Sequence, residues 1–376
     1  FTPRAVRPMM RRSCEGGGGG GGVGRKGKKK WLHSQANYIS ESDTSFISED
    51  MIADPAWVVL NALRLSGFKA YLVGGAVRDL YRGAAPKDFD VVCTASTQKL
   101  KKIFSTCYIV GRRFPVAHVH IKGTIIEVSS FNTQTWVGKG QELATSEAEE
   151  LRRRVVPHRR TRRRWEDAMR HNALKRDFTI NGLLYDPFEK VVHDFVGGLE
   201  DLRGETVRTI LPPEMSFAED PARILRAVRL TARTGYELAD ANAAAVRRNS
   251  ALVLQLPFGR VAMELGTLLQ YGAGERAIGA LWEFGLLDFM LPQHCQYFQW
   301  KGYSRASEDL AGDELSAALR AMDARASPGS PVTMAVATAI LAAPLVFQRL
   351  VLRADELSQA QGGAGARGPG PGREAG

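Results

Sequence analysis

Residues 69–93 carry the pattern that most constrains the fold. KAYLVG (69–74) is an apolar run of strand type that ends in a Gly74-Gly75 pair. GAVRDLYRG (75–83) then reads as a short helix closed by Gly83, and DFDVVC (88–93) as a second strand. A strand that turns through two glycines into a helix brings backbone N–H groups to the helix start, where an anion can sit. The second strand opens with Asp88 and Asp90 on either side of Phe89. Side chains at i and i+2 of a strand share a face, so two carboxylates stand together and repel. Either that face is open to water, or a cation lies between them.

An anion site and a carboxylate pair within residues 74–90 suggest a specific chemistry. Mg2+ takes one or two carboxylates and completes its shell with substrate phosphates. Paired metal ions serve both the attacking and the leaving oxygen of a phosphoryl or nucleotidyl transfer. The glycines match neither GxGxxG nor a Walker loop, so a Rossmann or P-loop reading has no support.

The surrounding sequence supplies a mixed sheet. DPAWVVLNALRLSG (54–67) reads as a helix with Asp54 as N-cap, Pro55 at N1 and Gly67 past its end. TQKLKKIFS (97–105) is a further helix. CYIVG, VAHVHIKG and TIIEVSSF (107–131) are strands, the last two joined by a Lys122-Gly123 turn. Residues 132–172 show no period and are expected to be a flexible, Arg-rich loop. From about 215 helices take over. DPARILRAVRLTARTG (220–235) is the strongest, with Asp220 as N-cap, Pro221 at N1 and Gly235 ending it. The expected class is α+β: a head with a small mixed sheet and helices, followed by an all-helical C-terminal region. The expected units are a disordered or targeting extension (1–50), a head (51–185), a helical nucleotide-recognition neck (186–270), a helical RNA-binding body (271–357) and a disordered tail (358–376).

The net charge of +11 is concentrated in two places. Residues 1–30 hold nine Lys/Arg against one Glu, and residues 151–164 hold eight Arg and no acid, leaving the rest mildly acidic. Charge runs of this kind are solvated tails and loops, or phosphate contacts. Cys14, Cys93, Cys107 and Cys295 form no CxxC pair and read as free thiols in a reducing compartment. His118, His120 and His193 read as packing or solvent-facing residues rather than metal ligands. No apolar run approaches the ~20 residues of a bilayer span, so no membrane partner is expected. The basic, acid-poor leader fits a chloroplast or mitochondrial address, or an extension with no address.

LVGGAVRDLYRGAAPKDFDVV (72–92) resembles the head-domain motif of the class II nucleotidyltransferases, which include bacterial-type poly(A) polymerases and tRNA CCA-adding enzymes. Three further blocks follow in the family's order: KRDFTINGLLYDP (175–187), VHDFVGGLEDL (192–202, with Asp194, Gly198 and Asp201) and EDPARILRAVR (219–229). The resemblance implies two Mg2+ ions on Asp88 and Asp90, with Asp177 as a third catalytic acid. It implies a triphosphate site shaped by Gly74, Gly75, Arg78 and Asp79, and ribose recognition by Arg176 and Asp177. Glu219, Asp220 and Arg223 would read the base by hydrogen bonds, since Arg offers a fixed fork of donors and ionised Asp only acceptors. Lys175 stands where the family has Arg, and Gly182 where a small side chain is usual.

IVGRRFPVAHV (109–119) resembles the segment of bacterial-type poly(A) polymerases that reads LVGRRF followed by a His-Val pair. The expected activity is therefore addition of AMP from ATP to RNA 3′-hydroxyls with release of pyrophosphate. Arg112 and Arg113 are candidate RNA contacts, and the partners are RNA 3′ ends and the nucleoside triphosphate. CCA addition to tRNA, with CTP as a second substrate, is the alternative. An inactive RNA-binding relative is the second. Glu127, on TIIEVSSF, either reaches the metal site or faces solvent.

Overall fold

A computed structural model describes residues 38–41, 44, 47–111, 115–131, 164–305, 310, 312–327 and 329–364. Eight strands form one sheet: β1 (Ile39–Glu41), β2 (Ala70–Val73), β3 (Asp90–Cys93), β4 (Cys107–Val110), β5 (Val116–Ile121), β6 (Thr124–Ser130), β7 (Leu184–Asp186) and β8 (Val191–Asp194). Their order is β1-β8-β7-β2-β3-β6-β5-β4. β3 and β6 run parallel, and the other neighbours are antiparallel. Lys122 and Gly123 both take positive φ, the geometry of a two-residue hairpin turn between β5 and β6.

Helices cover both faces. On one, α1 (Asp54–Leu65) buries Val59, Leu60 and Leu63 with Leu72, Val91, Ala117, Val119, Ile126 and Val128 of the sheet. α2 (Gly75–Tyr81) and α3 (Thr97–Ile103) follow β2 and β3. The Ser96 hydroxyl caps α3 by accepting from the Lys99 N–H. On the other face, α4 (Arg164–Leu174) sets Met169, Ala173 and Leu174 on Tyr71, Val73 and Val92.

Downstream come α5 (Gly198–Arg203), α6 (Pro213–Glu219), α7 (Ala222–Thr234), α8 (Asp240–Asn249) and α9 (Phe258–Gln270). They are followed by α10 (Gly274–Glu283), α11 (Leu287–Met290), α12 (Pro292–Trp300), α13 (Glu314–Asp323) and α14 (Met334–Ala364). A second core of Phe217, Leu268, Leu281, Trp282, Phe298 and Leu319 holds most of them together. α7 is shared between the two cores. Ala227 and Leu230 pack in the head core, while Ile224, Leu225, Val228 and Ala232 pack in the helical core. A helix gripped on two sides holds its third side at a fixed height above the sheet.

The α+β class is as expected, with six differences of detail. Most of α4 lies inside the span read as loop (132–172); its neighbouring arginines hid a helix whose apolar residues cover the sheet. Residues 39–41 and 49–50, read as part of a disordered extension, form β1 and the start of a 3-10 turn; β8 offers β1 an edge to pair with. β8 lies beyond the head boundary expected at 185 yet belongs to the head sheet. α1 is capped by Ala53 rather than Asp54, and α14 runs to Ala364 past the tail boundary expected at 358. The last difference concerns the membrane. Met334–Gln359 is long and apolar enough to cross a bilayer by length and composition, contrary to the sequence reading. Pro344, Arg349 and Arg353 interrupt its apolar letters, so no continuous apolar run is legible there. Ala337 and Leu341 of this helix are buried against the helical core, while Val346, Phe347, Leu350 and Leu357 are exposed.

Candidate active site

The β2–β3 pairing builds the site. Val73 faces Asp90 across the antiparallel ladder, so the chain leaving β2 through Gly74 passes beside the chain entering β3 through Asp88. Gly74 has φ +75 and ψ −137, a conformation that side-chain-bearing residues avoid. A Cβ there would also lie 2.7 Å from Arg176 Nη1. The glycine therefore serves the turn and leaves room for a guanidinium next to Asp90.

The strand begins at Asp90, and Asp88 precedes it with its side chain mostly exposed. Phe89 is buried in the head core, which turns both carboxylates to the other side. Asp88, Asp90, Asp79 and Asp177 line one cavity of about 330 Å³, together with Gly75, Arg78, Lys87, Asn181, Arg226, Arg229 and Arg233. Carboxylates from β3 and its lead-in thus face guanidiniums from α7.

Burial pushes the Asp90 carboxyl up from 3.8 to about 6. Arg176 opposes this shift, and Glu127 and Asp88 add to it. Glu127 is the cross-strand partner of Asp90 on β6 and pairs in turn with His118 on β5, 3.6 Å away. The lining holds five cations against four carboxylates, so burial rather than a surplus of acid sets the Asp90 shift. No group of three or more His, Cys, Asp or Glu with metal-holding geometry occurs among the described residues. A two-carboxylate seat fits Mg2+ nonetheless, because that ion completes its shell with substrate phosphates. Asp88 and Asp90 are the residues that would hold it.

Arg78 is engaged within the protein. Its Nε and Nη2 donate to both oxygens of buried Asp79, at 2.8 and 2.9 Å, and its Nη1 donates to Asn181. This pair fixes the floor of the cavity beside Gly75. Asp177 is similarly occupied. Its Oδ1 accepts from the Phe178 N–H and the Asn181 amide, and its Oδ2 meets Arg226 at 2.7 Å. Burial alone would raise the Asp177 carboxyl, but Arg226, these hydrogen bonds and the charge of Arg223 hold it below its ordinary value. Arg176 lies over Gly74 outside the cavity lining, where burial lowers its pKa and the charges of Asp90 and Asp177 partly restore it.

Glu219, Asp220 and Arg223 do not line the cavity. Arg223 Nη1 donates to Glu219 at 2.7 Å and to the Ser216 hydroxyl at 3.1 Å, and Asp220 Oδ1 accepts from the Ala222 N–H at the start of α7. Arg223 lies three residues before Arg226, on the same helix face. Arg112 and Arg113 lie outside the described residues.

The sequence reading missed Arg226, Arg229 and Arg233. Their spacing of i, i+3 and i+7 is visible in RILRAVRLTAR, opposite the apolar face that did attract notice. Each is held differently. Arg226 pairs with Asp177, and Arg229 meets the buried Glu264 of α9 at 2.6 Å. Arg233 makes no carboxylate ion pair among the described residues and rests over the ring of Tyr271. Burial lowers the pKa of both Arg229 and Arg233, and Arg78 adds to the effect on Arg233. Lys87 reaches the same ring at 4.4 Å.

The VHDFVGGLEDL block is structural. Asp194, fully buried, accepts from the N–H groups of Val196, Gly197 and Leu199, each at 2.9 Å. Asp201 accepts from Thr179 at 2.6 Å and pairs with Arg208. A Cβ on Gly198 would fall 2.3 Å from the Thr179 carbonyl, and one on Gly182 would fall 2.6 Å from Val196. These contacts clamp residues 177–182 under the cavity.

A strand–Gly-Gly–helix turn, paired carboxylates at the next strand and a facing row of guanidiniums define a nucleotidyltransferase head. The comparisons agree. Residues 70–208 match the poly A polymerase head domain, and residues 235–298 match the probable RNA and SrmB-binding site of polymerase A. Poly(A) polymerase I of Salmonella typhi is 36% identical over 269 residues, covering 70% of this chain and 56% of that protein. The CCA-adding enzyme of Geobacillus stearothermophilus is 32% identical, covering 62% and 53%. Among solved structures, the Bacillus stearothermophilus CCA-adding enzyme in complex with CTP is 29% identical with a TM-score of 0.51, covering 71% of this chain and 62% of that one. The chain belongs to the class II nucleotidyltransferase family and carries its poly(A) polymerase head domain. It spans about half the length of the curated relatives it matches.

Proposed function

We propose that this chain is a template-independent RNA 3′-end nucleotidyltransferase that adds AMP from ATP and releases pyrophosphate. The observation that carries the chemistry is the single cavity where Asp88 and Asp90 face Arg226, Arg229 and Arg233. Mg2+ held by the two aspartates would supply Lewis-acid activation of the α-phosphate and of the attacking hydroxyl. The chain's own residues bind and orient. Gly74 and Gly75 open the backbone toward the phosphates. Arg78 is locked by Asp79, so its charge is fixed in place before substrate arrives. Arg233, without a carboxylate partner among the described residues, is the guanidinium best able to turn to a phosphate. Glu219 and Asp220, at the junction of α6 and α7, and Arg223, in the first turn of α7, are the proposed base readers.

ATP-only tailing is favoured by the IVGRRFPVAHV segment and by the higher identity to Poly(A) polymerase I than to the CCA-adding enzymes. CCA addition is the second reading, favoured by the match to a CCA-adding enzyme structure. Extension with each nucleoside triphosphate singly, on oligo(A) and on tRNA lacking its CCA end, separates the two. Long ATP-only tails on oligo(A) are expected. Addition of CC and then A to tRNA alone would replace the first reading by the second, and incorporation on neither primer would leave an RNA-binding relative.

Arg233→Ala is expected to raise the KM for ATP about tenfold or more, since a charge-assisted hydrogen bond contributes roughly 1.5–3 kcal/mol. Its KM for primer should stay near wild type. An unchanged KM for ATP would remove Arg233 from the phosphate wall.

A further inference from the structure

The cavity takes up only one side of Asp90. The nucleotide side is built by α2, residues 177–181 and α7, whose residues line it. On the other side of β3 the sheet continues through β6, β5 and β4. The ladder places a row of side chains there in register: Asp90 beside Glu127, Glu127 beside His118, His118 beside Tyr108. His120, two residues along β5, joins them on the same face and meets the Tyr108 ring edge-on at 5.3 Å. The opposite face of these strands is buried by Ala117, Val119, Ile126 and Val128 in the head core. α4 covers this face at β2 and β3, but over β4, β5 and β6 no described residue packs Tyr108, Ile125 or Val110 away, which are 60%, 49% and 47% exposed. An exposed tyrosine and two half-buried imidazoles on a sheet, ending at the carboxylates, make an unusual surface for a fold to leave unpacked.

We infer that Tyr108 and His120, with His118 beside them, form the seat of the acceptor strand, stacking bases near the RNA 3′ end while its terminal hydroxyl reaches Asp90. The inference rests on the proposed function and names where its second substrate lies. An attacking hydroxyl must approach the α-phosphate from the side away from the leaving pyrophosphate, and the triphosphate side is the one walled by α7. The acceptor therefore comes over β6. Single-stranded RNA is recognised by stacking of splayed bases on aromatic and imidazole rings of a sheet. None of the three rings belongs to the nucleotide cavity, so they serve the acceptor without taking part in nucleotide binding.

Two measurements test this on the full chain. In the first, fluorescence anisotropy gives the Kd of labelled oligo(A) for wild type, Tyr108→Ala, His120→Ala and Tyr108→Phe. Stacking predicts a loss of about tenfold for each alanine variant, recovery in Tyr108→Phe, and an unchanged KM for ATP. In the second, oligo(A) carrying 4-thiouridine at one of its last three positions is cross-linked and the modified peptides mapped. Cross-links on residues 107–121 are expected. Alanine variants that bind and extend primer as wild type does, with cross-links mapping elsewhere, overturn the acceptor seat and leave the proposed function intact. A wild-type protein that neither binds nor extends RNA overturns both.

Discussion

Asp90→Asn should reduce AMP incorporation at least about 10³-fold while leaving the protein as stable as wild type or more so. The activity loss follows from removing one of two carboxylates that would hold the metal, whose stabilisation of transition-state charge amounts to several kcal/mol. The stability effect follows from the local electrostatics. Burial, with the charges of Glu127 and Asp88, raises the Asp90 carboxyl to about 6, above its unfolded value of 3.8. A raised carboxyl means that the fold prefers the protonated form. Its contribution is fully present below pH ~4 and is lost as pH rises through about 6. Above that, the ionised group costs up to about 3 kcal/mol in metal-free protein. The asparagine variant lacks this penalty, so its advantage should grow between pH 4 and pH 7 in thermal unfolding scans. Mg2+ with ATP should stabilise wild type and not the variant. A variant that unfolds far below wild type at pH 7 would show Asp90 to be a structural residue.

Asp194→Ala should have the largest effect on stability. The Asp194 carboxylate is fully buried and takes three backbone N–H groups, of Val196, Gly197 and Leu199. Truncation leaves all three without an acceptor, and each buried orphan costs about 1–3 kcal/mol. A loss of at least ~3 kcal/mol is expected, read as a fall in Tm of roughly 6–12 °C. Activity should fall only as the folded fraction falls, because the carboxylate touches no cavity residue directly. A shift of under ~2 °C would mean that water replaces the carboxylate and that the loop does not depend on it.

The two aspartates illustrate how much of this molecule was legible in its letters. Asp90 was readable because its pattern is local: a glycine pair, a short helix and a strand within 25 residues, each with its own turn chemistry. The block at 192–202 was readable as a motif but not as to purpose. Its carboxylates are consumed by N–H groups and hydroxyls that only the folded chain brings to them. α4 was hidden because arginines crowd the stretch before it, and its apolar side shows only once the sheet it covers is known. β1 was hidden because three residues are too few to carry a period, and the neighbouring edge of β8 decides their conformation. The guanidinium row of α7 was present in the spacing of Arg226, Arg229 and Arg233. It took the pairing of β2 with β3, far upstream, to give those side chains something to face. Tyr108 and the histidines of β5 were unremarkable in sequence for the same reason, since register across three strands places them in line with Asp90.

The most direct test follows primer length and pyrophosphate together, with wild type and Asp90→Asn, in Mg2+ with ATP and oligo(A). One pyrophosphate per nucleotide added, with both signals abolished in the variant, is the predicted result. Primer extension that persists in Asp90→Asn, or release of inorganic phosphate without extension, would contradict nucleotidyl transfer at this site.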